Sequence, residues 1–209
     1  MEMSSNLSNY SNNSQQYPII NDGTAPKAKA KFLEDFPTIK PHKYQTLSNV
    51  QISSFNDFAC GNTGIDTFLR HGEGLKFQVD RNKMDSMIMA TETQVLGYMA
   101  YSLKELTFSI PKMCSQNLKE LSGLKAGDKI FCIHYLGVDE SCKNKGLAES
   151  LVLKALNFCI KKAATTEPSL KLIVLHATIE ACGFYEKMGF DRIGELDNGL
   201  IEYAYTVKE

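Results

Sequence analysis

The amino-acid sequence predicts one α/β domain in which a mixed β-sheet is flanked by helices. Two continuous apolar runs, 130–138 and 170–177, have the pattern of central strands that are buried on both faces. Between them, residues 146–163 repeat apolar side chains at the spacing of a long helix. Further upstream, two apolar segments flank the three residues 92–94, which is the pattern of a β-hairpin. Strands that alternate with helices in this way indicate a single mixed sheet.

The complete series of predicted elements has the order β-α-β-β-β-α-β-α-β. In the chain these are a strand at 44–52, a helix at 65–77, strands at 86–91, 95–108 and 130–138, a helix at 146–163, a strand at 170–177, a helix at 178–190 and a strand at 199–207. Residues 111–129 read as a connector with a short helix. Gly72 and Gly74 weaken the second half of the first helix. In the last helix, Thr178 is the expected N-cap and Gly189 the expected end.

Composition is typical of a soluble globular protein. Of the 209 residues, 43% are hydrophobic and 22% are charged. Residues 1–43 begin as a polar, low-complexity segment, so we expect a disordered or loosely ordered tail before a domain at 44–209. No apolar run is long enough to span a membrane. The N-terminus lacks a basic region followed by an apolar one, and we therefore expect a cytoplasmic protein.

Cysteine spacing argues against a metal-binding or disulfide-bonded protein, and net charge argues against a general nucleic-acid-binding protein. The six cysteines form no C-x-x-C pair and have no histidine at a metal-binding distance in sequence, so we expect free thiols and no metal site. The net charge is −1 and only three residues are arginines. This balance gives no general electrostatic footprint for nucleic acid, although a local basic patch remains compatible with it.

The segment between the predicted strand at 130–138 and the long helix has the features of an anion-binding site. Residues 139–144 form a loop and the helix begins near Gly146, with the spacing Lys143-x-x-Gly146-x-Ala148. The first turn of a helix has N–H groups without intrahelical partners and carries a partial positive charge. Glycine allows the backbone to approach a ligand closely, which suits a pyrophosphate. The pattern alone is common, and an ordinary turn before a helix explains it as well.

The surrounding sequence makes this segment more specific. "LGVDESCKNKGLAESLV" followed by "LKLIVLHATIEACGFYEKMGF" resembles the GNAT superfamily of acetyl-CoA-dependent N-acetyltransferases. The acetyl-CoA motif of that family is Q/R-x-x-G-x-G/A, and Ala148 satisfies its last position. Lys143 departs from the motif, which has Gln or Arg at its first position. Lysine keeps the charge of arginine but lacks its planar donor fork. "FNDFACGNTGIDTFLR" and "QVLGYMAYSL" resemble a branch that includes toxins acting on the amino group of charged tRNA.

The resemblance covers roughly residues 50–205 and implies a GNAT fold. In that fold the sheet is twisted and mixed, and its two parallel strands, here 130–138 and 170–177, splay apart. Backbone groups left unpaired at the splay would bind the pantetheine arm of acetyl-CoA as an added strand. The residues that the resemblance assigns to acetyl-CoA binding are Leu136, Gly137, Val138, Lys143, Asn144, Lys145, Gly146, Leu147 and Ala148. It implies no metal cofactor.

The resemblance also implies that Tyr185 acts as the general acid. In the family a tyrosine at this position lies beside the thioester sulfur, where a phenol can protonate the departing thiolate. Without the resemblance, a core aromatic beside Phe184 is the favoured interpretation of Tyr185. Glu180 and Glu186 are expected to be solvated charges on the same helix.

The sequence leaves the group that deprotonates the amine open. His134 is our first candidate: it lies two residues before Leu136, which by strand alternation puts both on one face. The unperturbed pKa of histidine suits a general base. His176 and water-mediated deprotonation are the alternatives. A covalent route through Cys132 or Cys182 is not favoured, because no partner that would lower the thiol pKa is visible.

The resulting functional expectation is direct acetyl transfer from acetyl-CoA to a primary amine of a small molecule or a protein. One alternative is a toxin-type enzyme that acetylates aminoacyl-tRNA, which the net charge of −1 disfavours. Another is a non-catalytic acyl-CoA-binding module, which an intact Tyr185 and an intact Gly146 and Ala148 disfavour. No membrane partner is expected, and a homodimer is compatible with the sequence.

Overall fold

The computed structural model describes residues 39–106 and 124–207, and its centre is one β-sheet. Seven strands form this sheet in the order β1-β2-β3-β4-β5-β7-β6. Their bounds are Lys40–His42 (β1), Asp85–Ala90 (β2), Val95–Glu105 (β3), Lys129–Val138 (β4), Leu170–Ala177 (β5), Asp191–Glu195 (β6) and Ile201–Thr206 (β7). β4 and β5 are parallel, and the other neighbouring strands are antiparallel. The mixed sheet predicted from the sequence is therefore confirmed.

Five α-helices in the described residues cover the two faces of the sheet. They are Asn49–Ser53 (α1), Thr63–Arg70 (α2), Leu75–Asp80 (α3), Leu147–Thr165 (α4) and Cys182–Lys187 (α5). Short 3₁₀ turns occupy Tyr44–Thr46, Ser54–Asn56, Glu140–Cys142 and Ile179–Ala181. α2 begins where the Asn62 side chain accepts hydrogen bonds from the N–H groups of Gly64 and Ile65. No helix in the described stretches has the length and apolarity needed to cross a membrane.

Separate hydrophobic clusters lie on the two faces. On one face, Leu151, Ala155 and Cys159 of α4 and Tyr185 of α5 pack in a single buried cluster with β-strand side chains. On the other face, residues of α2, α3 and the preceding turns pack against β2 and β3, with Phe58 completely buried. Burying one large apolar side chain contributes about 1.5–3 kcal/mol. The two clusters together therefore hold helices firmly against both sides of β3 and β4.

The parallel strands β4 and β5 separate before either strand ends. Their pairing runs from Lys129 and Leu170 to Ile133 and Leu175 and then stops. Beyond that level, β4 stays paired with β3 as far as Val138, whereas β5 stays paired with β7 as far as Ala177. The two strands thus diverge because each follows its outer neighbour, and the expected splay is present.

A β-bulge lies where the strands begin to diverge. Ile133 pairs with Tyr101 and Tyr135 pairs with the adjacent Ala100, so His134 is an extra residue on β4. Leu136 packs in the cluster under α4, whereas Tyr135 packs against the cluster on the opposite face. A bulge of this kind bends its strand and interrupts the alternation of side chains between the two faces.

Several predicted elements differ from the observed ones. The predicted strand at 44–52 is wrong: this segment contains a 3₁₀ turn and α1. Ser48 and Gln51 form a reciprocal capping box there, which favours a helix start. The strands β1 and β6 were not predicted, because both are short and mostly exposed. β1 also lies before the predicted domain boundary at residue 44, so the sheet begins earlier than expected.

The predicted helix at 65–77 is divided into α2 and α3 by the glycine-containing segment between them. A Cβ atom at Gly74 would collide with the carbonyl group of Phe68, so only glycine fits there. The strands predicted at 86–91, 95–108, 130–138, 170–177 and 199–207 and the helix predicted at 146–163 correspond to observed elements, with ends shifted by a few residues. Most of the predicted tail and of the connector at 111–129 lies outside the described residues.

Gly137 provides a test of how tightly α2 packs over β4. A Cβ atom at this position would lie 2.8 Å from Cγ2 of Ile65 and 3.1 Å from Cε1 of Tyr98. We expect Gly137→Ala to lower the free energy of unfolding by about 1–3 kcal/mol, because the buried neighbours must shift to admit the methyl group. Urea denaturation of both proteins measures this difference. Gly183→Ala is the control, since open space surrounds that position, and a similar loss in the control would contradict the packing argument.

Candidate active site

A cleft of about 460 Å³ opens where β4 and β5 diverge. Its walls combine the outer part of β4, the end of β5, the start of α4 and the residue Tyr185 on α5. Of the residues predicted to bind acetyl-CoA, five line this cleft: Leu136, Gly137, Val138, Lys143 and Ala148. Tyr185, His134 and His176 line it as well. The fold thus gathers residues from positions 134 to 185 around one opening.

Leu147 has a different place from the neighbouring predicted residues. Its side chain is buried in the cluster under α4, beside Leu151. Only its backbone N–H group, in the first turn of α4, remains available for a ligand. The residues Asn144, Lys145 and Gly146 form the bend immediately before this turn.

Two residues with left-handed backbone conformation shape the loop before α4. Asn144 has φ 59° and Gly146 has φ 81°, which is the region that favours glycine and asparagine. The loop is held from below by the buried carboxylate of Asp139. Its Oδ2 accepts the N–H of Ala59 at 3.1 Å, and its Oδ1 accepts the N–H of Ser141 at 3.0 Å. These contacts fix the loop in one shape before any ligand binds.

The first turn of α4 borders the cleft and has N–H groups without helical partners. Gly146 occupies the N-cap position and supplies no side-chain cap. The first intrahelical bond runs from the N–H of Ser150 to the carbonyl of Gly146 at 2.9 Å, which leaves the N–H groups of the three residues between them without helical partners. Ala148, the small residue in this turn, lines the cleft. This combination suits a phosphate group.

Lys143 adds positive charge near this turn. Its Nζ lies 3.1 Å from Oε1 of Glu140, and both side chains are about half exposed. An exposed ion pair of this kind is weak. The ammonium group can therefore turn toward an anion in the cleft, whereas Lys145 donates to the carbonyl of Ser141 at 2.7 Å within the loop itself.

Tyr185 is a core aromatic residue and also a wall of the cleft. Its ring packs against Phe184, Phe190 and Tyr203, with centroid separations of 5.0, 5.8 and 6.0 Å. Burial raises the pKa of its phenol well above the ordinary value of 10. The hydroxyl group therefore keeps its proton at neutral pH. The sequence suggested either a core aromatic or a general acid at this position, and the two interpretations are compatible with each other.

His134 lines the cleft in a neutral form. Its Nε2 lies 2.7 Å from Oγ of Ser102. Burial, followed by the charges of Lys104 and His176, lowers its pKa to about 4. Because His134 is the extra residue of the bulge, the expectation that it shares a face with Leu136 is wrong. Its contact with Ser102, which pairs with Cys132, places the imidazole on the face away from α4.

His176 stands beside a carboxylate that the sequence analysis missed. Its Nε2 lies 3.6 Å from Oε1 of Glu202, whose side chain is 0% exposed, while the His176 side chain is 27% exposed. A signal for Glu202 was present, since it is the one charged residue in the otherwise apolar or polar-neutral strand β7. Charged residues are rarely buried in strands without a partner or a function.

The other candidate residues have structural contacts. Glu186 accepts a hydrogen bond from the Tyr203 hydroxyl at 2.9 Å, so it is more than a solvated charge. All five cysteines in the described residues are free thiols, and Cys132 is buried. Burial raises the pKa of Cys60, a cleft residue, to about 11, which keeps it a thiol. In residues 39–106 and 124–207, no group of three or more His, Cys, Asp or Glu side chains is arranged to hold a metal ion.

Comparison with known proteins identifies the same region. Residues 62–190 match the family described as Acetyltransferase (GNAT) family. This range runs from the N-cap of α2 to Phe190, the residue before β6, so it contains the loop before α4, the divergence of β4 and β5, and Tyr185. No curated protein sequence matches the chain.

Solved structures share the fold at low sequence identity. A crystal structure of a bacterial toxin has a TM-score of 0.62 at 18% identity, with 81% of this chain and 90% of the toxin covered. The AtaTR complex bound with acetyl-CoA has a TM-score of 0.62 at 18% identity, with 82% and 94% covered. AtaT complexed with acetyl-methionyl-tRNAfMet has a TM-score of 0.59 at 18% identity, with 78% and 93% covered.

The lowered pKa of His134 predicts a pH effect on stability. An unfolded histidine binds a proton near pH 6.5, whereas the native one binds it only near pH 4. Between these values the unfolded state holds more protons, so stability must fall as the pH falls from about 6.5 to 4. We expect His134→Gln to weaken this dependence. Unfolding temperatures of both proteins by calorimetry from pH 4 to 8 measure it, and parallel curves would refute the prediction.

Proposed function

The chain belongs to the GNAT family of acetyl-CoA-dependent acetyltransferases, and we propose that it passes the acetyl group directly to a primary amine of a small-molecule or protein acceptor. The observation that carries this proposal is the single cleft at the divergence of β4 and β5. An anion-binding helix start, an unpaired strand edge and a buried phenol all border that cleft.

The loop and first turn of α4 would hold the pyrophosphate of acetyl-CoA. We assign this contact to the backbone from Asn144 to Ala148, with Lys143 as the nearby positive charge. The backbone edge of Leu136, Gly137 and Val138 faces away from β3 and lacks a β5 partner. Backbone polar groups of this kind need partners, and the amides of the pantetheine arm would supply them as an added strand.

Tyr185 would assist departure of the thiolate. Acetyl-CoA supplies an acyl group that is activated as a thioester. The Tyr185 phenol keeps its proton at neutral pH because burial raises its pKa. A raised pKa also makes the phenol a weaker acid, so its hydroxyl would first donate a hydrogen bond to sulfur and would pass the proton on only as negative charge develops there. Its packing among Phe184, Phe190 and Tyr203 restricts the ring to one orientation.

The role of His134 as the proton acceptor stays a prediction. A pKa of about 4 makes its neutral imidazole a weak base toward an ammonium group. The short contact with Ser102 favours a hydrogen-bonding role in the cleft.

Aminoacyl-tRNA is a second candidate acceptor. The similarity to AtaT complexed with acetyl-methionyl-tRNAfMet supports it, because the two chains share their fold over most of their length. The amino group of a charged tRNA is also a primary amine, so the same cleft chemistry applies. The net charge of −1 and the three arginines of the chain argue for a small-molecule or protein acceptor instead.

The anion-binding turn predicts a charge-specific loss of cofactor affinity. Ala148→Glu places a carboxylate in the first turn of α4, and we expect acetyl-CoA affinity to fall at least about 10-fold, or about 1.4 kcal/mol. Ala148→Gln has the same bulk without the charge and should lose less. Calorimetric titration with acetyl-CoA and with acetyl-pantetheine, which lacks the pyrophosphate, measures both changes.

Equal losses for the two ligands would contradict the pyrophosphate assignment, and so would unchanged acetyl-CoA affinity in Ala148→Glu. Gly146→Glu is less informative, because a side chain at φ 81° strains the backbone as well.

The proposed reaction is tested by thiol release from acetyl-CoA against a panel of small amines, peptides and charged tRNAs. We expect turnover with at least one acceptor, and Tyr185→Phe should lower kcat by roughly 10²-fold or more without weakening acetyl-CoA binding. Tyr205→Phe is the matched control, since this buried tyrosine packs against Phe190 in the same cluster.

Full activity of Tyr185→Phe would remove it as the acid, and an equal loss in Tyr205→Phe would assign the effect to packing. Turnover confined to charged tRNAs would establish the second candidate. Absence of turnover with every class of amine would refute the proposed function.

A further inference from the structure

Glu202 is a carboxylate in the interior of the sheet. It lies on β7 directly opposite His176 on β5, and its Oε1 is 3.6 Å from Nε2 of His176. The side chain of Glu202 is completely buried. Burying a carboxylate is strongly unfavourable unless nearby groups compensate its charge. Its position next to a histidine that borders the active-site cleft therefore calls for a functional explanation.

The pair lies on the face of the sheet away from Tyr185. The ladder between β5 and β7 is regular, so His176 and Glu202 share a face with Val174 and Ala204, two residues away. Those two residues pack in a cluster separate from the one that holds Tyr185 under α4. The cleft is thus bordered by a phenol on one face and by an imidazole on the other.

We propose that His176 accepts the proton from the acceptor amine, with Glu202 as the positioning residue that orients its imidazole and compensates the charge it gains. This inference rests on the proposed function. It also gives the two faces of the cleft different tasks: the thiolate leaves on the side of Tyr185, and the amine approaches on the side of His176.

The proton and electron balance is complete without another reactant. The lone pair of the amine nitrogen forms the bond to the acetyl carbon, and the carbon–sulfur bond breaks with its electron pair moving to sulfur. Tyr185 donates its proton to sulfur. Nε2 of His176 faces Glu202, so Nδ1 is the atom that takes the proton from nitrogen. Solvent then carries a proton from His176 back to Tyr185, and the products are an amide and free CoA.

His134 is less suited to this task than His176. Its Nε2 is already engaged with Oγ of Ser102 at 2.7 Å, and the positive charge of Lys104 disfavours its protonated form. His176 instead has a buried carboxylate 3.6 Å from its Nε2, in the position from which carboxylates orient catalytic histidines. Besides Glu202, the described titratable groups that line this cleft or adjoin it are His134, Lys104, Cys60, Asp66, Tyr135, Lys143 and Tyr185.

The experiment compares four variants with the wild-type protein. They are His176→Gln, Glu202→Gln, Glu202→Asp and the control Glu186→Gln, which alters a carboxylate that contacts Tyr203. With an acceptor from the panel, Glu202→Gln and His176→Gln should lower kcat about 10²-fold with unchanged acetyl-CoA affinity. Glu202→Asp should recover part of this loss, and Glu186→Gln should stay near the wild-type rate.

The pH profile separates catalysis from a structural role. The wild-type rate should decline on the acidic side, and this decline should shift in Glu202→Gln and disappear in His176→Gln. NMR titration of the His176 ring, which needs no acceptor, should likewise change in Glu202→Gln. An unmoved titration, or a wild-type rate and pH profile in His176→Gln, would overturn the inference. If the wild type acetylates nothing on the panel, the proposed function fails, and the NMR titration still decides whether the pair exists.

Discussion

The separation of β4 from β5 is the constraint on which the rest of the site depends. Hydrogen bonds to the outer neighbours β3 and β7 hold each strand along its full length, and the bulge at His134 bends β4 where its pairing with β5 ends. The inner edge of β4 from Tyr135 to Val138 consequently has backbone groups that β5 does not satisfy. Since such groups must find partners in water or a ligand, the sheet itself creates a binding cleft between the hydrophobic clusters on its two faces.

Everything else in the site is placed relative to that opening. α4 crosses one face and begins at the mouth of the cleft, because Gly146 and Asn144 adopt left-handed conformations that turn the chain sharply before the helix. α5 follows on the same face and carries Tyr185 into the cleft wall. The histidines lie on the other face. This arrangement places the Tyr185 phenol and the two imidazoles on opposite faces of the sheet, bordering one cleft.

Buried carboxylates mark two different uses of charge in this fold. Asp139 accepts hydrogen bonds from backbone N–H groups of two segments, and these bonds stabilise the loop that precedes α4. Glu202 lies instead beside a partly exposed histidine at the cleft. A hydrophobic residue at that position would be easier to bury, so the carboxylate is better explained by activity than by stability. Natural proteins commonly break local packing rules at functional sites in this way.

The sequence alone determined the elements whose signals are local: the apolar runs of β4 and β5, the helical periodicity of α4, and the small residues Gly146 and Ala148 between charged neighbours. It also identified Tyr185 through its resemblance to a family.

Tertiary structure decided the features that depend on pairing between distant segments. The short strands β1 and β6 pair along the edges that β2 and β7 offer, whereas the helix in the 44–52 segment begins at a local capping box that the sequence already contains. The face of His134 follows from a bulge in its pairing with β3, and the place of Glu202 beside His176 follows from a ladder between strands far apart in sequence. Periodicity within one segment carries no information about such partners, which is why the two histidines could be proposed from the sequence but only the fold could distinguish them.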